Sequence, residues 1–351
     1  MPVASGDEVL RFSADLIRAT QDDNKGEKRM IPSKENLTIC FAHAAYQMKD
    51  RFELRKTGIR NFQTWAYDDL VKRISEADVV VASGMWKNDL IPHAGKLKFI
   101  QSISSGMDQY SREQLGAKNI RLASAAGVNA RAVAEHALAL ILAVARRLPE
   151  ARDNQHKKMW RGMLGDLTQR EDELGGKTLL IVGMGRIGSH LAKLAKAFDM
   201  KVLGIRRDPA QGANGADSIH GVADLVKLVP QADFVALACA LTPETTGLMS
   251  AAAFAAMKPS SVFVNVARGK VADEETLIKT MQGNKIWAAA IDVTVDEPLP
   301  AASPLWSLPN VFITPHTAGE TRAYEDNVLD ILMDNLERLW RGEKALRNQV
   351  L

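Results

Sequence analysis

The chain has 351 residues, of which 46% are hydrophobic and 25% are charged, and its formal net charge is +3 at pH 7. These values are typical of a folded globular protein with about two domains, and so small a charge excludes a large basic surface for nucleic acid or membrane. Cys40 and Cys239 lie far apart in apolar contexts, which predicts neither a disulfide framework nor a metal site. No apolar run reaches about 18 residues, and the N-terminus carries acidic residues where a signal peptide needs an apolar core, so we expect a cytoplasmic protein.

The first 35 residues differ in character from the rest of the chain. They are polar apart from one amphipathic stretch whose apolar residues recur at helical spacing, namely Val9, Leu10, Phe12, Leu16 and Ile17. Two interpretations remain open: a helix that packs on the body or on a partner and is followed by a linker, or a partly ordered extension. In either case residues 1–35 are predicted to be an N-terminal extension.

Strand and helix patterns alternate from Asn36 onward. The runs LTICFAH, DVVVASG and LKFIQSISSG are apolar and are separated by helical stretches, which is typical of βα units in a parallel sheet. The segment from Ala130 to Arg147 is apolar on nearly every helical face, so we expect it to be buried in a domain core or at a subunit interface. Residues 152–173 are polar and are predicted to form a loop that contains an isolated Trp160.

A second series of βα units begins at Thr178. Short apolar runs are predicted to be strands in the order TLLIVG, MKVLGI, DFVALAC, SVFVNVA, WAAAIDV and VFITP. Strands in this order, with helical segments or turns between them, predict a doubly wound sheet. A long amphipathic helix is predicted from Thr321 to Gly342.

A glycine-rich turn follows the first strand of this second series and opens a helix. Gly183, Gly185 and Gly188 fit the spacing Gly-x-Gly-x-x-Gly in the run VGMGRIG. In that context the glycines permit a tight turn, close approach of the backbone to a pyrophosphate, and close packing of the helix on the strand. The N–H groups and the dipole at the helix start also favour an anion. We therefore predict a dinucleotide-binding site.

The next strand ends at Arg206, Arg207 and Asp208. An acid that binds the ribose 2′-hydroxyl of NAD is expected about 20 residues after the glycine turn. Two adjacent guanidinium groups at this position would instead hold a 2′-phosphate through charge-assisted hydrogen bonds, which favours NADP. The alternative is that both arginines are solvated and that Asp208 serves the ribose, so NAD stays possible.

Three charged residues follow later strands of the same series. Arg268 follows SVFVNVA, Glu297 lies in DVTVDEPLP, and His316 lies in ITPHTAG. The carboxyl ends of parallel strands form the edge at which open α/β sheets bind ligands. An arginine can clamp a carboxylate, and a histidine beside a carboxylate can donate a proton to a carbonyl oxygen as hydride arrives. Each residue alone is typical of a strand end, but together they indicate reduction of a 2-oxo acid.

These motifs resemble those of the D-isomer-specific 2-hydroxyacid dehydrogenase family. The resemblance rests on VGMGRIG, VNVARGKVADEETL, DVTVDEPLP and TPHTAG, and on the preceding run NARAVAEHALALILAVAR, which is similar to the family's interface helix. The motifs occur in the family's order and spacing, and the resemblance covers roughly Asp78 to Val350. The related formate dehydrogenases carry Gln in place of Glu297, which argues against that activity.

The resemblance implies a role for each of several residues. Arg268 would bind the substrate carboxylate and polarise the carbonyl, His316 would be the acid/base, and Glu297 its partner. The further cofactor-binding residues would be Arg186 and Ile187 at the pyrophosphate, Asp292 at the nicotinamide carboxamide, and Val266, Ala267 and Gly319 beside the nicotinamide. The further substrate-binding residues would be Ser105, Gly106 and Met107, which match an anion cradle, and Gly84, Met85 and Trp86, which match a cleft loop. An ordinary buried aromatic is an equally good interpretation of Trp86.

The resemblance also implies the architecture. Residues 36–125 and 318–351 would form a flavodoxin-like substrate domain, and residues 126–317 would be an inserted Rossmann domain that binds NAD(P), with the active site in the cleft. A homodimer is expected, in which the apolar helix and the Trp160 loop pack against a second copy. One departure is that Ala238 and Ala240 stand where the family commonly has His and Pro, on the adenine side.

We therefore expect an enzyme that transfers a hydride between NADP, or possibly NAD, and a small 2-oxo or D-2-hydroxy acid, with glyoxylate or hydroxypyruvate favoured. One alternative is an enzyme like D-3-phosphoglycerate dehydrogenase. Another, from a different class, is a nucleotide-sensing binding protein like the corepressors related to this family. We expect no nucleic-acid or membrane partner.

Overall fold

The computed structural model describes residues 30–351. These residues divide into two compact units, one formed by residues 30–126 together with Glu325–Leu351, and the other by Gly127–Tyr324. The amphipathic stretch predicted between Val9 and Ile17 lies outside the described residues. Among those that are described, no helix is long and apolar enough to cross a membrane.

The described strands, in chain order, are β1 (Thr38–Ala42), β2 (Arg60–Thr64), β3 (Val79–Ala82), β4 (Phe99–Ser102), β5 (Arg121–Ala123), β6 (Thr178–Val182), β7 (Lys201–Ile205), β8 (Ser218–His220), β9 (Phe234–Leu237), β10 (Val262–Asn265), β11 (Ala288–Ile291) and β12 (Val311–Ile313). The described α-helices are α1 (Met48–Glu53), α2 (Tyr67–Arg73), α3 (Arg112–Ala117), α4 (Ala130–Ala145), α5 (Leu148–His156), α6 (Arg186–Lys196), α7 (Leu225–Leu228), α8 (Ala251–Ala255), α9 (Glu274–Gln282) and α10 (Tyr324–Trp340). Short 3₁₀ turns connect several of them.

The first unit is built on a five-stranded parallel sheet in the order β2-β1-β3-β4-β5, which is the order of flavodoxin-like folds. The central strands are continuous buried runs because a parallel sheet is covered on both faces. A buried amide pair ties the end of the chain to this sheet: Asn335 on α10 donates to Gln101 on β4 at 2.9 Å, and it accepts from the Arg347 N–H at 2.7 Å. The last residues then pair with β5.

The second unit contains a seven-stranded parallel sheet in the order β12-β11-β10-β9-β6-β7-β8. The chain runs outward from β6 through β7 to β8 and then resumes on the other side at β9, so the topological switch point lies between β6 and β9. Side chains of β6 alternate between two buried clusters: Leu179 and Ile181 face the cluster containing α4 and α6, whereas Leu180 and Val182 face that of α7, α8 and α9. The sheet is therefore doubly wound.

The strands β2, β5 and β8 were not predicted. Each lies at an edge of its sheet, and β5 and β8 have three residues apiece. Edge strands are covered incompletely and lack the continuous apolar run of a central strand, so Arg60–Thr64 and Ser218–His220 carry little hydrophobic signal.

Three helix predictions need correction. Residues 152–173 were expected to be a loop, but α5 occupies Leu148–His156, and a helix with no buried residue has no apolar stripe to reveal it. The helix α4 ends at Ala145 rather than Arg147, because Arg147 has a left-handed backbone (φ 51°) and precedes α5. The last helix is Tyr324–Trp340, shorter than Thr321–Gly342.

Candidate active site

The glycine turn lies between β6 and α6, at the carboxyl edge of the second sheet. Gly183 has φ 107°, and a Cβ there would lie 2.5 Å from the Cys239 backbone nitrogen. A Cβ on Gly188 would lie 2.1 Å from the Gly183 carbonyl oxygen, so helix and turn pack too closely for any side chain. By contrast, no heavy atom beyond the adjacent chain lies within 4 Å of the Cβ position at Gly185. The turn therefore leaves open space above its middle glycine, beside the N-terminus of an 11-residue helix, which suits a pyrophosphate.

The loop after β7 gathers the residues expected near a ribose. Arg206 is half-buried and donates to the Gly212 carbonyl oxygen at 3.3 Å and to the Gln211 side-chain oxygen. Asp208 caps the following 3₁₀ turn by accepting from the Ala210 N–H at 3.1 Å. Arg207 is exposed. The arginines thus lie directly after β7, the strand that pairs with β6 next to the glycine turn.

His316 and Glu297 form a hydrogen-bonded pair. His316 Nδ1 lies 2.6 Å from Glu297 Oε2, and the other carboxylate oxygen accepts from the Thr294 N–H at 3.1 Å. The His316 backbone is left-handed, with φ 55°, and its N–H donates to the Asp292 carbonyl oxygen at 2.8 Å. Such a conformation is uncommon for a residue with a side chain, and it persists where surrounding contacts fix it. The pair leaves Nε2 as the ring nitrogen that is not bound to Glu297.

Asp292 organises the loop that carries His316. Its carboxylate is buried and accepts from the Thr314 hydroxyl at 2.6 Å, the Thr317 N–H at 3.0 Å and the Ala318 N–H at 3.1 Å. His136 on α4 approaches the same group, with Nε2 2.9 Å from the Thr314 oxygen and 3.5 Å from Asp292 Oδ1. Sequence reasoning missed His136 and Thr314 as members of the site, because one lies in the apolar helix and the other inside a strand run.

Arg268 is held by the turn that follows β10. Asn265 is buried at the strand end, where its side chain donates to the Arg268 carbonyl oxygen at 3.1 Å and accepts from the Ala267 N–H at 3.0 Å. The Arg268 guanidinium donates to the Ala267 carbonyl oxygen at 2.7 Å and the residue is exposed. Asn265 therefore shapes the backbone that presents the arginine, a function that sequence reasoning did not assign to it.

The remaining predicted cofactor residues lie on the same sheet edge. Arg186 and Ile187 are the first residues of α6, and Ile187 packs partly against the apolar core. Val266 and Ala267 are buried directly after β10. Gly319 follows the His316 loop, and a Cβ there would lie 2.3 Å from the Asn129 side-chain nitrogen.

Strand order arranges these groups across the sheet edge. His316 follows β12, Asp292 follows β11, Arg268 follows β10, the glycine turn follows β6 and Arg206 follows β7. Neighbouring strands lie about 4.8 Å apart, so the turn is about 10 Å from the end of β10 and about 5 Å from the end of β7. A dinucleotide with its pyrophosphate at the turn would place its adenosine ribose towards Arg206 and its other end towards Arg268 and His316. The described residues contain no cluster of His, Cys, Asp and Glu that could hold a metal ion.

The predicted substrate loops both lie in the first unit, after neighbouring strands. Gly84, Met85 and Trp86 follow β3, and Ser105–Met107 follow β4. A hydrogen bond of 2.7 Å between the Ser83 and Ser104 hydroxyls joins the two loops. Trp86 is only 1% exposed, so its ring belongs to the core of this unit.

The sheet is parallel and doubly wound, and its glycine turn lies at the switch point. The same edge carries an arginine and a histidine–carboxylate pair, so the fold and the site together define a nicotinamide-nucleotide oxidoreductase. The NAD binding domain of the D-isomer specific 2-hydroxyacid dehydrogenases matches residues 138–318. The chain therefore belongs to this family, and the predictions of the family, of its fold and of an NAD(P)-dependent enzyme class are confirmed.

Several relatives are similar over most of the chain. Glyoxylate/hydroxypyruvate reductase B of Escherichia fergusonii is 35% identical over 289 residues, which cover 82% of this chain and 88% of the relative. D-3-phosphoglycerate dehydrogenase of Methanocaldococcus jannaschii is also 35% identical, over 79% of this chain, but this chain spans only about half of that protein, 52%. Among solved structures, a D-isomer specific 2-hydroxyacid dehydrogenase family protein from Aeromonas salmonicida superposes with a TM-score of 0.78 at 29% identity, covering 90% of this chain and 99% of the other.

Proposed function

We propose that the protein reduces a small 2-oxo acid to the D-2-hydroxy acid with a nicotinamide cofactor, and catalyses the reverse oxidation. The observation that carries the proposal is the His316–Glu297 pair, with a 2.6 Å contact, on the sheet edge that also presents Arg268 and the glycine turn. Relatives that are named glyoxylate/hydroxypyruvate reductases support the same reaction.

Each of the three side chains has a distinct task in this reaction. Arg268 clamps the substrate carboxylate and draws electron density from the neighbouring carbonyl. His316 donates the proton from Nε2 to the carbonyl oxygen, while Glu297 accepts from Nδ1, fixes the tautomer and stabilises the imidazolium before transfer. A bound dihydronicotinamide supplies the hydride. Asp292 would hold the carboxamide end of that cofactor, and its contacts with the Thr317 and Ala318 N–H groups keep the His316 loop in position.

The experiment that tests this proposal follows NADPH oxidation after a 2-oxo acid is added. His316→Ala should lower kcat by at least about 100-fold, because a positioned general acid contributes roughly 10²–10⁴-fold. His93→Ala, which removes an exposed histidine from the first unit, is the matched control and should keep wild-type rates. Full activity in His316→Ala would show that the assigned acid/base is wrong.

We propose NADP as the preferred cofactor. The support is the position of Arg206 and Arg207 at the end of β7, next to the glycine turn, where two guanidinium groups suit a 2′-phosphate. The expected result is tighter binding of NADPH than of NADH, with the order reversed in Arg206→Asp. Equal affinities in the wild type would contradict the argument.

Glyoxylate and hydroxypyruvate are the proposed substrates, and D-3-phosphoglycerate is the alternative that another relative's name suggests. Ser105, Gly106 and Met107 are proposed to bind the substrate carboxylate through backbone N–H groups, with Gly84 and Met85 beside them. Because the Trp86 ring is buried, we propose that it supports the conformation of this loop. Kinetics with a panel of 2-oxo acids, including 3-phosphohydroxypyruvate, would rank the candidates.

We propose a homodimer because the segment that follows α5 carries exposed apolar side chains. Trp160 is 97% exposed, and Met163 and Leu167 are also largely exposed. Apolar groups clustered in this way are typical of a surface that another chain covers. The apolar residues of α4, by contrast, are mostly buried within their own unit. The combined Trp160→Ser and Met163→Ser variant should be monomeric in sedimentation velocity, whereas the unmodified chain should be dimeric.

A further inference from the structure

The loop after β7 contains a side-chain bridge that the reaction does not itself require. The Gln211 side-chain oxygen accepts from the Arg206 guanidinium, and its amide nitrogen donates to Asp208 Oδ2 at 3.2 Å. One neutral amide therefore lies between a cation and an anion that are near neighbours in sequence. The Gly212 carbonyl oxygen takes a second guanidinium hydrogen bond, at 3.3 Å.

This bridge affects the charge that Arg206 presents. A carboxylate so close to an arginine would ordinarily pair with it, and a paired guanidinium attracts a further anion less strongly. In the part of the chain that the structure describes, no ion pair joins Arg206 to Asp208. Asp208 finds its partners elsewhere, in the Gln211 amide and in the Ala210 N–H that it caps. The Asp208 carboxylate therefore has hydrogen-bond partners without pairing with the positive charge of Arg206.

We propose that Gln211 is a specificity-determining residue, which positions Arg206 and keeps Asp208 from competing for it, so that the guanidinium can bind a phosphate group on the ribose 2′-oxygen. This inference rests on the proposed preference for NADP and names a residue that sustains it. Gln211 acts through Arg206 and makes no contact with the phosphate itself. Without Gln211, we expect Asp208 to pair with the arginine, because no amide then lies between the two charges.

Calorimetric titration of the full chain with adenosine 2′,5′-bisphosphate and with 5′-AMP isolates this effect from catalysis. The wild type should bind the bisphosphate more tightly than 5′-AMP. Gln211→Ala should weaken bisphosphate binding about tenfold, equivalent to about 1.4 kcal/mol, while 5′-AMP affinity changes by less than about twofold. Gln231→Ala is the matched control. Like Gln211, this exposed glutamine is the last residue of a 3₁₀ turn, but it donates to the Lys227 carbonyl oxygen and lies outside the loop after β7. Both affinities should therefore be unchanged.

A second substitution separates charge competition from simple loss of structure. Asp208→Asn keeps an oxygen that can cap the turn but removes the competing charge, so in the Gln211→Ala background it should restore the preference for the bisphosphate. Gln211→Glu places a carboxylate against Arg206 and should weaken bisphosphate binding at least as much as Gln211→Ala.

The outcomes distinguish this inference from the proposed cofactor choice. An unchanged affinity ratio in Gln211→Ala, or a double variant that fails to recover, would overturn the role of Gln211 while leaving NADP as the proposed cofactor. A wild type that binds the two nucleotides equally would overturn the cofactor choice, and the role of Gln211 with it.

Discussion

Two glycines of the same turn should respond differently to the same substitution. At Gly188 an added Cβ would lie 2.1 Å from the Gly183 carbonyl oxygen and 3.1 Å from the Ile181 side chain, so Gly188→Ala must displace the turn or the helix. At Gly185 no heavy atom beyond the adjacent chain lies within 4 Å of an added Cβ, and the extended backbone (φ −83°, ψ −156°) is available to alanine. Gly185→Ala should therefore fold normally and should fill only the space assigned to the pyrophosphate.

The contacts set the size of each effect. Overpacking of this kind costs about 1–3 kcal/mol, and about 2 kcal/mol lowers the Tm of a unit of this size by roughly 4–8 °C. Gly188→Ala should thus lose both thermal stability and dinucleotide affinity. In Gly185→Ala the loss of charge-assisted hydrogen bonds to the phosphates, about 1.5–3 kcal/mol, weakens binding by about 10- to 100-fold with Tm unchanged.

Differential scanning fluorimetry and fluorescence titration with NADPH measure the two quantities on the same samples. Gly175→Ala, at an exposed turn glycine of the same unit with open space around its Cβ position, is the control and should change neither. If Gly185→Ala bound NADPH as tightly as the wild type, the turn would not be the pyrophosphate site. If Gly188→Ala kept the wild-type Tm, the packing argument would be refuted.

Three further predictions concern stability and reactivity. Asn335→Ala should destabilise the protein by about 2–4 kcal/mol in urea unfolding, because it strips the Gln101 side-chain oxygen and the Arg347 N–H of their buried partners; a loss below about 1 kcal/mol would contradict this. Burial raises the pKa of Cys40 to about 12, so its thiol should resist a thiol reagent at pH 8 in the folded chain and react on unfolding, and rapid labelling of folded protein would show the burial to be wrong. Hydrogen bonds from the Val202 N–H and then from Lys196 lower the pKa of Asp217 in the folded protein. The contribution of this carboxylate to the free energy of unfolding is therefore complete above its unfolded pKa of about 3.9, and it is lost as the pH falls through the lower folded value. Asp217→Asn should be less stable than wild type at pH 5 and equally stable once the wild-type carboxyl is protonated, whereas a constant difference down to pH 2 would argue against this carboxylate.

The glycine turn and the central strands could be predicted because their signals are local. Buried parallel strands are continuous apolar runs, and the spacing of Gly183, Gly185 and Gly188 follows directly from the turn they form. Edge strands and a helix without buried residues, such as α5, lack that hydrophobic signal. Their formation depends on pairing and packing partners that are distant in sequence.

The same distinction applies to the candidate site. Arg268, Glu297 and His316 could be proposed from strand-end positions together with the resemblance to a family. The contacts that hold them could not, because His136 reaches Thr314 across 178 positions of sequence and Asn265 acts through backbone geometry. The Gln211 bridge is likewise a matter of side-chain direction within one loop, which residue spacing alone does not specify.

Transfer of deuterium tests the central claim most directly. Single-turnover reactions with NADPH that carries deuterium at nicotinamide C4, on the transferred face, and with glyoxylate or hydroxypyruvate can be analysed by mass spectrometry of the product. We expect one deuterium on C2 of the 2-hydroxy acid with the wild-type chain, and product formation at least about 100-fold slower with His316→Ala. A 2-hydroxy acid without deuterium, or equal rates in the two proteins, would contradict it.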